Sequence, residues 1–289
     1  MARLHSIFLA FLIVSCSARN SISAETANIN DVNMENTDKS GIIAHNEPAP
    51  PDYSLYLAAL SNSRLPTDII SNIEKLLFPD SGFIAALEMI LDKDKETYDP
   101  YLFFLVDKER ALGEDYTPDD LIQLRNGSYR VSRNDLFLRS KAVISLEEMA
   151  AAARAEGLTL LASSAYRSYS YQVEVYSRWV RQLGQAAADR VSARPGHSQH
   201  QLGTTIDFGS ISNEFADTRE GIWLTANASR FGWSLSYPRE YERITGYSWE
   251  SWHFRYVGKD IAAFIENYFD GIQQYAFKFI YEFTQQDFR

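Results

Sequence analysis

His200-Gln-Leu-Gly203-Thr-Thr-Ile-Asp207 is the stretch on which the fold of this chain turns. It sets an imidazole and a carboxylate, both ligands that zinc accepts, on either side of a glycine and a short strand-like segment. Residues from Gly203 onward alternate in the strand sense, so that Gly203, Thr205 and Asp207 share one face and Thr204 and Ile206 the other. A second segment, Trp249-Glu250-Ser-Trp252-His253-Phe254-Arg255-Tyr256, reads as a strand beginning near Trp252 and supplies His253 as a third ligand. The chain has five histidines, of which His5 and His45 fall near the N-terminus, leaving His197, His200 and His253 for the folded part. Three protein ligands leave a coordination position open, which separates a catalytic zinc from a structural one. Glu250, three residues before His253, is the candidate general base. A histidine beside a tryptophan is often a packed core residue, and an aspartate at a strand end often a cap. Two histidines and two acids together in such segments point instead to a site for one Zn2+. His197 stands as either a substrate contact or a supporting residue.

The rest of the sequence constrains what surrounds that site. With 289 residues, 45% of them hydrophobic, the chain can bury a core in one or two domains. A net charge of -10 argues against nucleic acid as a partner, since that association is driven by clustered Lys and Arg. The start, Met1-Ala-Arg-Leu-His-Ser and then Ile7 to Val14 without a polar residue, has the pattern of a signal peptide over 1–16, and export follows from it. Cys16, the single cysteine, closes the apolar run in a lipobox-like Ile13-Val14-Ser15-Cys16, so a membrane-anchored lipoprotein is expected; cleavage after Ala18 or Ala24 is the alternative. One cysteine forms no disulfide within the chain. Residues 17–51, polar and without hydrophobic period, read as a disordered tether.

Residues 52–100 read as a helical extension, with Thr67 capping a helix over Asp68 to Phe78 and a second helix over Phe83 to Leu91. From 101 to 289 strands and helices alternate. Tyr101 to Val106 is expected as a strand; Ser145 with Glu148 forms a capping box for a helix that Gly157 ends; Leu158 to Ser164 is a buried strand. A helix over Tyr169 to Leu183 gathers Val173, Tyr176, Val180 and Leu183 on one face, and the aromatic tail from Tyr275 to Phe288 is compatible with a closing helix.

At the motif residues the sequence resembles the VanY-type D-alanyl-D-alanine carboxypeptidases, zinc peptidases that trim peptidoglycan stem peptides. Ser198-Gln-His200-Gln-Leu-Gly203-Thr-Thr-Ile-Asp207 matches that family's Ser-x-His-x-x-Gly-x-x-x-Asp, and Glu250-Ser-Trp252-His253 its Glu-x-Trp-His. Upstream, Ser164-Ala-Tyr166-Arg167-Ser168 with Gln172 resembles its Ser-Gly-Tyr-Arg-Ser and downstream Gln. The resemblance spans about Tyr101 to Tyr268. It implies an α+β fold, a small antiparallel sheet flanked by helices around a single zinc site, here with an N-terminal helical extension. It implies His200, Asp207 and His253 as metal ligands, Glu250 and Arg167 as catalytic residues, and Ser168, Gln172, Ser198 and Trp252 as substrate contacts. A guanidinium at Arg167 suits an oxyanion or a terminal carboxylate, a structural ion pair being the plainer alternative. Ser198 either binds the substrate carboxylate or caps its turn.

This chain departs from the family at Gln199 (usually Glu), Ser251 (usually Pro) and Ser236 (usually Arg), and the last substitution removes a cation that could shape the substrate pocket. The implied function is removal of the C-terminal D-amino acid from stem peptides in the periplasm or cell envelope, with D,D specificity favoured. An L,D-carboxypeptidase or a murein endopeptidase would use the same site, and a non-catalytic murein-binding lipoprotein is the reading of a different class.

Overall fold

The computed structural model describes residues 52–78 and 81–286, so the signal peptide, the lipobox at Cys16 and the tether lie outside the described residues. Three helices come first: α1 (Ser54–Asn62), α2 (Thr67–Glu74) and α3 (Gly82–Leu91). Helix α2 starts after Pro66 and stops at Glu74, short of the expected Phe78, because Leu76 and Leu77 turn back to the carbonyls of Ile73 and Glu74 in a tighter final turn. Its buried residues, Ile69 and Ile73, belong to the predicted stripe.

The segment expected as a strand, Tyr101 to Val106, is a 3₁₀ turn over Pro100–Leu102 followed by irregular chain. The carbonyls a ladder would need are engaged elsewhere: those of Tyr101, Leu102 and Phe104 all accept from the Arg255 guanidinium at 2.9, 3.3 and 3.0 Å. Strand β1 (Leu121–Gln123) and two short strands, β2 (Arg130–Val131) and β3 (Phe137–Arg139), lead into α4 (Ser140–Ala155). Helix α4 begins five residues before the predicted capping box. Asp120 holds the backbone and hydroxyl of Ser140 at the helix start, whereas Ser145 is buried in mid-helix, where its hydroxyl donates to the Phe231 carbonyl and accepts from Trp233 Nε1.

The remaining elements are β4 (Leu161–Ser164), α5 (Tyr169–Leu183), α6 (Gln185–Val191), β5 (Thr205–Phe208), α7 (Arg219–Asn227), β6 (Trp233–Leu235), α8 (Glu242–Thr245), β7 (His253–Tyr256), α9 (Lys259–Tyr268) and α10 (Gln273–Thr284). Five strands form the main sheet in the order β2-β4-β5-β7-β6, antiparallel throughout except for the parallel pair β2–β4. The fold is therefore α+β with a small, mostly antiparallel sheet flanked by helices. On one sheet face Ile206, Phe208 and Phe254 pack with Leu146, Met149 and Ala153 of α4. That burial leaves Asp207 and His253 pointing to the other face, as strand alternation requires. Helix α5 has the predicted bounds, ended by Gly184 at φ 77°, yet its apolar face is not core: Val173 and Leu183 are exposed and only Gln172 is buried.

A second core joins the N-terminal helices to α9 and α10. Phe83 lies at its centre, fully buried, with ring centroids of Phe264, Tyr268 and Phe279 at 5.3, 5.1 and 5.5 Å. Phe83→Ala should lower unfolding free energy by about 3–5 kcal/mol, since the ring's contacts come from α9 and α10, which cannot both collapse into the hole. Chemical denaturation measures this; a loss below about 1 kcal/mol would mean that the extension is not packed as described. Among the described residues no helix is long and apolar enough to cross a membrane.

Candidate active site

Asp207 and His253 are direct register partners across β5 and β7, so their side chains leave the same face of the sheet side by side. His200 reaches them from the 3₁₀ turn Gln199–Leu202 that precedes β5. The turn closes through Gly203 at φ 70°, where a Cβ would lie 3.0 Å from Leu121 and Arg139 side-chain atoms. Both the left-handed backbone and the close approach require glycine there. The backbone N–H of Arg167 donates to the His200 carbonyl at 3.2 Å, tying this turn to the loop that carries the guanidinium.

The three candidate ligand atoms lie within 4.8 Å of one another, all on buried residues. His200 Nε2 is 3.2 Å from Asp207 Oδ2 and His253 Nδ1 is 3.2 Å from Asp207 Oδ1. Each imidazole is anchored by its far nitrogen: His200 Nδ1 to the Ala165 carbonyl at 2.7 Å, His253 Nε2 to Gln199 Oε1 at 3.2 Å. A ring N–H given to an acceptor on the outside leaves the lone pair facing inward, which is the tautomer a metal needs. Asp207 Oδ1 is buried and forms no hydrogen bond of proper geometry. A buried carboxylate oxygen without a donor calls for a cation.

The electrostatics agree. Burial pushes His200 down to about 4 against the pull of Asp207, so this ring is neutral at pH 7. Burial also opposes charge on His253, but the Asp207 and Glu250 carboxylates, 3.2 and 3.1 Å from its Nδ1, outweigh it and lift the ring to about 9, so this inward nitrogen takes up a cation, whether a proton or a metal ion. Burial would raise the Asp207 carboxyl, and the two imidazoles overcome that to hold it well below the usual range. The centre thus favours one positive charge between Asp207 and His253. Residues and charge fit a zinc ion: two imidazoles and a carboxylate with their outer hydrogen bonds already made.

Glu250 lies in the same cavity of about 420 Å³ with Arg167, Ser198 and Trp252. Its Oε2 is 3.1 Å from His253 Nδ1, and burial raises its pKa above that of an ordinary glutamate. Arg167 is half-buried in the cavity wall; burial lowers its pKa while the Asp207 and Glu250 charges support its charged form. It is held by Gln172 Oε1 at 2.9 Å and Ser164 Oγ at 3.2 Å, with no carboxylate in contact, so its remaining donors stay available to an anion. The plainer alternative of a structural ion pair is not what the structure holds.

Two expected substrate contacts have other work. Ser168 caps α5, accepting from Tyr171 N at 3.1 Å. Gln172 is fully buried, bracing Arg167 with its oxygen and donating to the Ala193 carbonyl at 2.6 Å, so it orients the guanidinium and has no surface to offer a peptide. Ser236 is also absent from the cleft: it is buried behind His253, where its hydroxyl donates to Gln199 Oε1 at 2.7 Å. His197 bonds the Asp107 carbonyl through Nδ1, away from the ligands. The cavity adds residues to which the motifs assign no role, among them Trp179, Asn213, Tyr237 and Tyr247. The Tyr237 ring lies tilted against His253 and Tyr247, with centroids 4.6 and 4.8 Å away.

A family model described as D-alanyl-D-alanine carboxypeptidase, VanY, matches residues 135–259. The chain is 34% identical over 203 residues to the presumed carboxypeptidase YodJ of Bacillus subtilis (strain 168), covering 68% of this chain and 72% of the relative. Among solved structures, the LD-carboxypeptidase LdcB is similar with a TM-score of 0.53 and 34% identity, over 58% of this chain and 85% of LdcB. A variant of the vancomycin-resistance D,D-pentapeptidase VanY with Zn(II) bound is similar with a TM-score of 0.50 and 31% identity, over 60% of this chain and 96% of that one.

Proposed function

Because the chain belongs to the VanY family of D-alanyl-D-alanine carboxypeptidases, we propose that it cuts the terminal D-Ala–D-Ala bond of peptidoglycan stem peptides. It is a zinc-dependent carboxypeptidase. The observation that carries the reading is one cavity holding His200, Asp207 and His253 together with Glu250 and the carboxylate-free Arg167. His200, Asp207 and His253 would hold the zinc, which when bound polarises a carbonyl and lowers the pKa of water to about 7.

The chain's own residues do the rest. Glu250, with its pKa raised by burial, takes the proton of the attacking water and passes it to the leaving amine. The Arg167 guanidinium, fixed by Gln172, offers paired donors to the terminal carboxylate of the substrate, which makes the enzyme an exopeptidase. Ser198 and Trp252, both in the cavity wall, bound the terminal residue. Enclosure of all these groups strengthens each charge interaction by excluding bulk water.

Release of D-alanine from a purified pentapeptide, abolished by chelator and restored by Zn2+, is the expected result. No release from pentapeptide would sink the D,D reading. Release from tetrapeptide alone would assign the L,D specificity, which the likeness to LdcB supports.

We further infer export and acylation at Cys16, supported by the basic start, the apolar run Ile7 to Val14 and the Ser15-Cys16 junction. Labelled palmitate should enter the wild-type chain and not Cys16→Ser; equal labelling would refute the anchor.

A further inference from the structure

The active-site cavity has a wall that the reaction does not use. Val175 and Trp179 of α5, Val191 at the end of α6, and Ile211 after β5 line it. Trp179, Val191 and Ile211 are large apolar side chains left exposed. Scattered singly, such groups need no explanation; three that meet at one cavity mark a surface for a ligand to cover. Among the described residues no acid besides Asp207 and Glu250 lines this cavity, and both of those stand at the metal centre.

Helix α5 relates this wall to Arg167. Gln172, Val175 and Trp179 follow one another at spacings of three and four, so they form one stripe of the helix. Gln172 stands level with the guanidinium it holds at 2.9 Å, and Trp179 lies seven residues further on, about 10 Å along the helix axis. The chain from Asp189 to Ala193 runs back beside the stripe, fastened by Gln172 Nε2 to the Ala193 carbonyl at 2.6 Å and by Tyr176 Oη to Asp189 Oδ1 at 2.7 Å, which keeps Val191 against α5. An extended peptide covers about 3.3–3.6 Å per residue, so the distance from Gln172 to Trp179 is the reach of about three residues. A substrate with its terminal carboxylate on Arg167 and its chain along this stripe brings its third residue level with Trp179. The two terminal D-alanines carry one methyl each and leave this wall uncovered, whereas the third residue of a stem peptide carries a chain of methylenes ending in an amine.

We propose that Trp179 is a specificity-determining residue: its ring, with Val175 and Val191, packs against the methylene chain of the third residue from the substrate's carboxyl end. The amine at the tip of that chain stays in water, since the wall offers it no carboxylate. The subsite reads hydrocarbon and not charge.

The inference rests on the D,D reading, and the test separates the two. Three peptides, acetyl-X-D-Ala-D-Ala with X lysine, norleucine or alanine, are given to the full zinc-loaded chain, and D-alanine release is followed. In the wild type, kcat/KM for the lysine and norleucine peptides should agree within about twofold and exceed that for the alanine peptide about tenfold, since each methylene covered contributes about fourfold. Trp179→Ala should bring all three peptides to within about twofold of one another. A general structural loss would lower the three alike and leave their ratio intact, so the ratio tests contact rather than folding. Calorimetry on Glu250→Gln, which binds without cutting, should rank the dissociation constants in the same order, and Trp179→Ala should erase that order too. Equal rates for norleucine and alanine in the wild type, or a norleucine preference that survives Trp179→Ala, would overturn the proposal. Lysine far above norleucine would also overturn it, by showing recognition of the amine. A wild-type chain that releases D-alanine from none of the three would instead overturn the D,D reading itself.

Discussion

Glu250→Ala is expected to cut turnover by about 10²–10⁴-fold, the usual contribution of a positioned proton carrier, while zinc stays bound. Glu250 is not one of the three clustered ligand groups, so its removal leaves the metal's donors in place. Its backbone has a structural role independent of the side chain: its N–H donates to the Tyr237 carbonyl at 3.0 Å and its carbonyl accepts from His253 N at 3.3 Å. Truncation therefore spares the loop and deletes only the carboxyl. Glu250→Gln is the sharper variant, since the amide keeps the shape and can donate toward the substrate but cannot take a proton. Both variants should show wild-type metal content by elemental analysis and a fall in kcat with KM nearly unchanged. Full activity in either, with zinc bound, would remove Glu250 from the mechanism and leave the cavity without a proton carrier of suitable position.

Asp207→Asn should abolish activity by a different route, through loss of the metal itself. The carboxylate bridges both imidazoles at 3.2 Å and supplies the negative charge that draws a cation into a fully buried centre. An amide there keeps the volume, removes that charge, and turns one end into a donor aimed at a ligand nitrogen. The fall in Zn2+ affinity should exceed the ~10–100-fold that loss of an outer contact costs. Thermal melting provides the check. Zinc at 100-fold above its Kd stabilises a protein by about 2.7 kcal/mol, so the wild type should melt at clearly higher temperature with zinc than without, and Asp207→Asn at the same temperature in both. A zinc-dependent shift equal to that of the wild type would show that the carboxylate is no ligand.

The ligand set was readable from the chain because its chemistry is local: an imidazole, a left-handed glycine and a strand residue within eight positions, then an acid and an imidazole three apart. What escaped was decided by partners far away in sequence. Tyr101 to Phe104 has the composition of a strand, but its carbonyls serve Arg255, some 150 positions later. Ser145 has the spacing of a cap, yet Trp233 and Phe231 claim its hydroxyl. Motif position puts Gln172 at the substrate, whereas its burial sets it against Arg167; Ser236, which stands where a pocket cation is usual, is buried against Gln199. The apolar residues of α5 suggested a packed helix, but Trp179 and Val175 turn to the cleft while Val173 faces solvent.

Arg255 carries a consequence for how such a chain can change over generations. Its guanidinium is fully buried with no carboxylate partner, lies 4.8 Å from the Phe277 ring of α10, and is pushed down to about 9 by burial. A lineage that lost α10 would uncover this charge, and a lineage that lost only the arginine would take a donor from three carbonyls, those of Tyr101, Leu102 and Phe104. Either loss alone is penalised, so the arginine and the C-terminal helix act as a ratchet: once both are present, each keeps the other from being discarded.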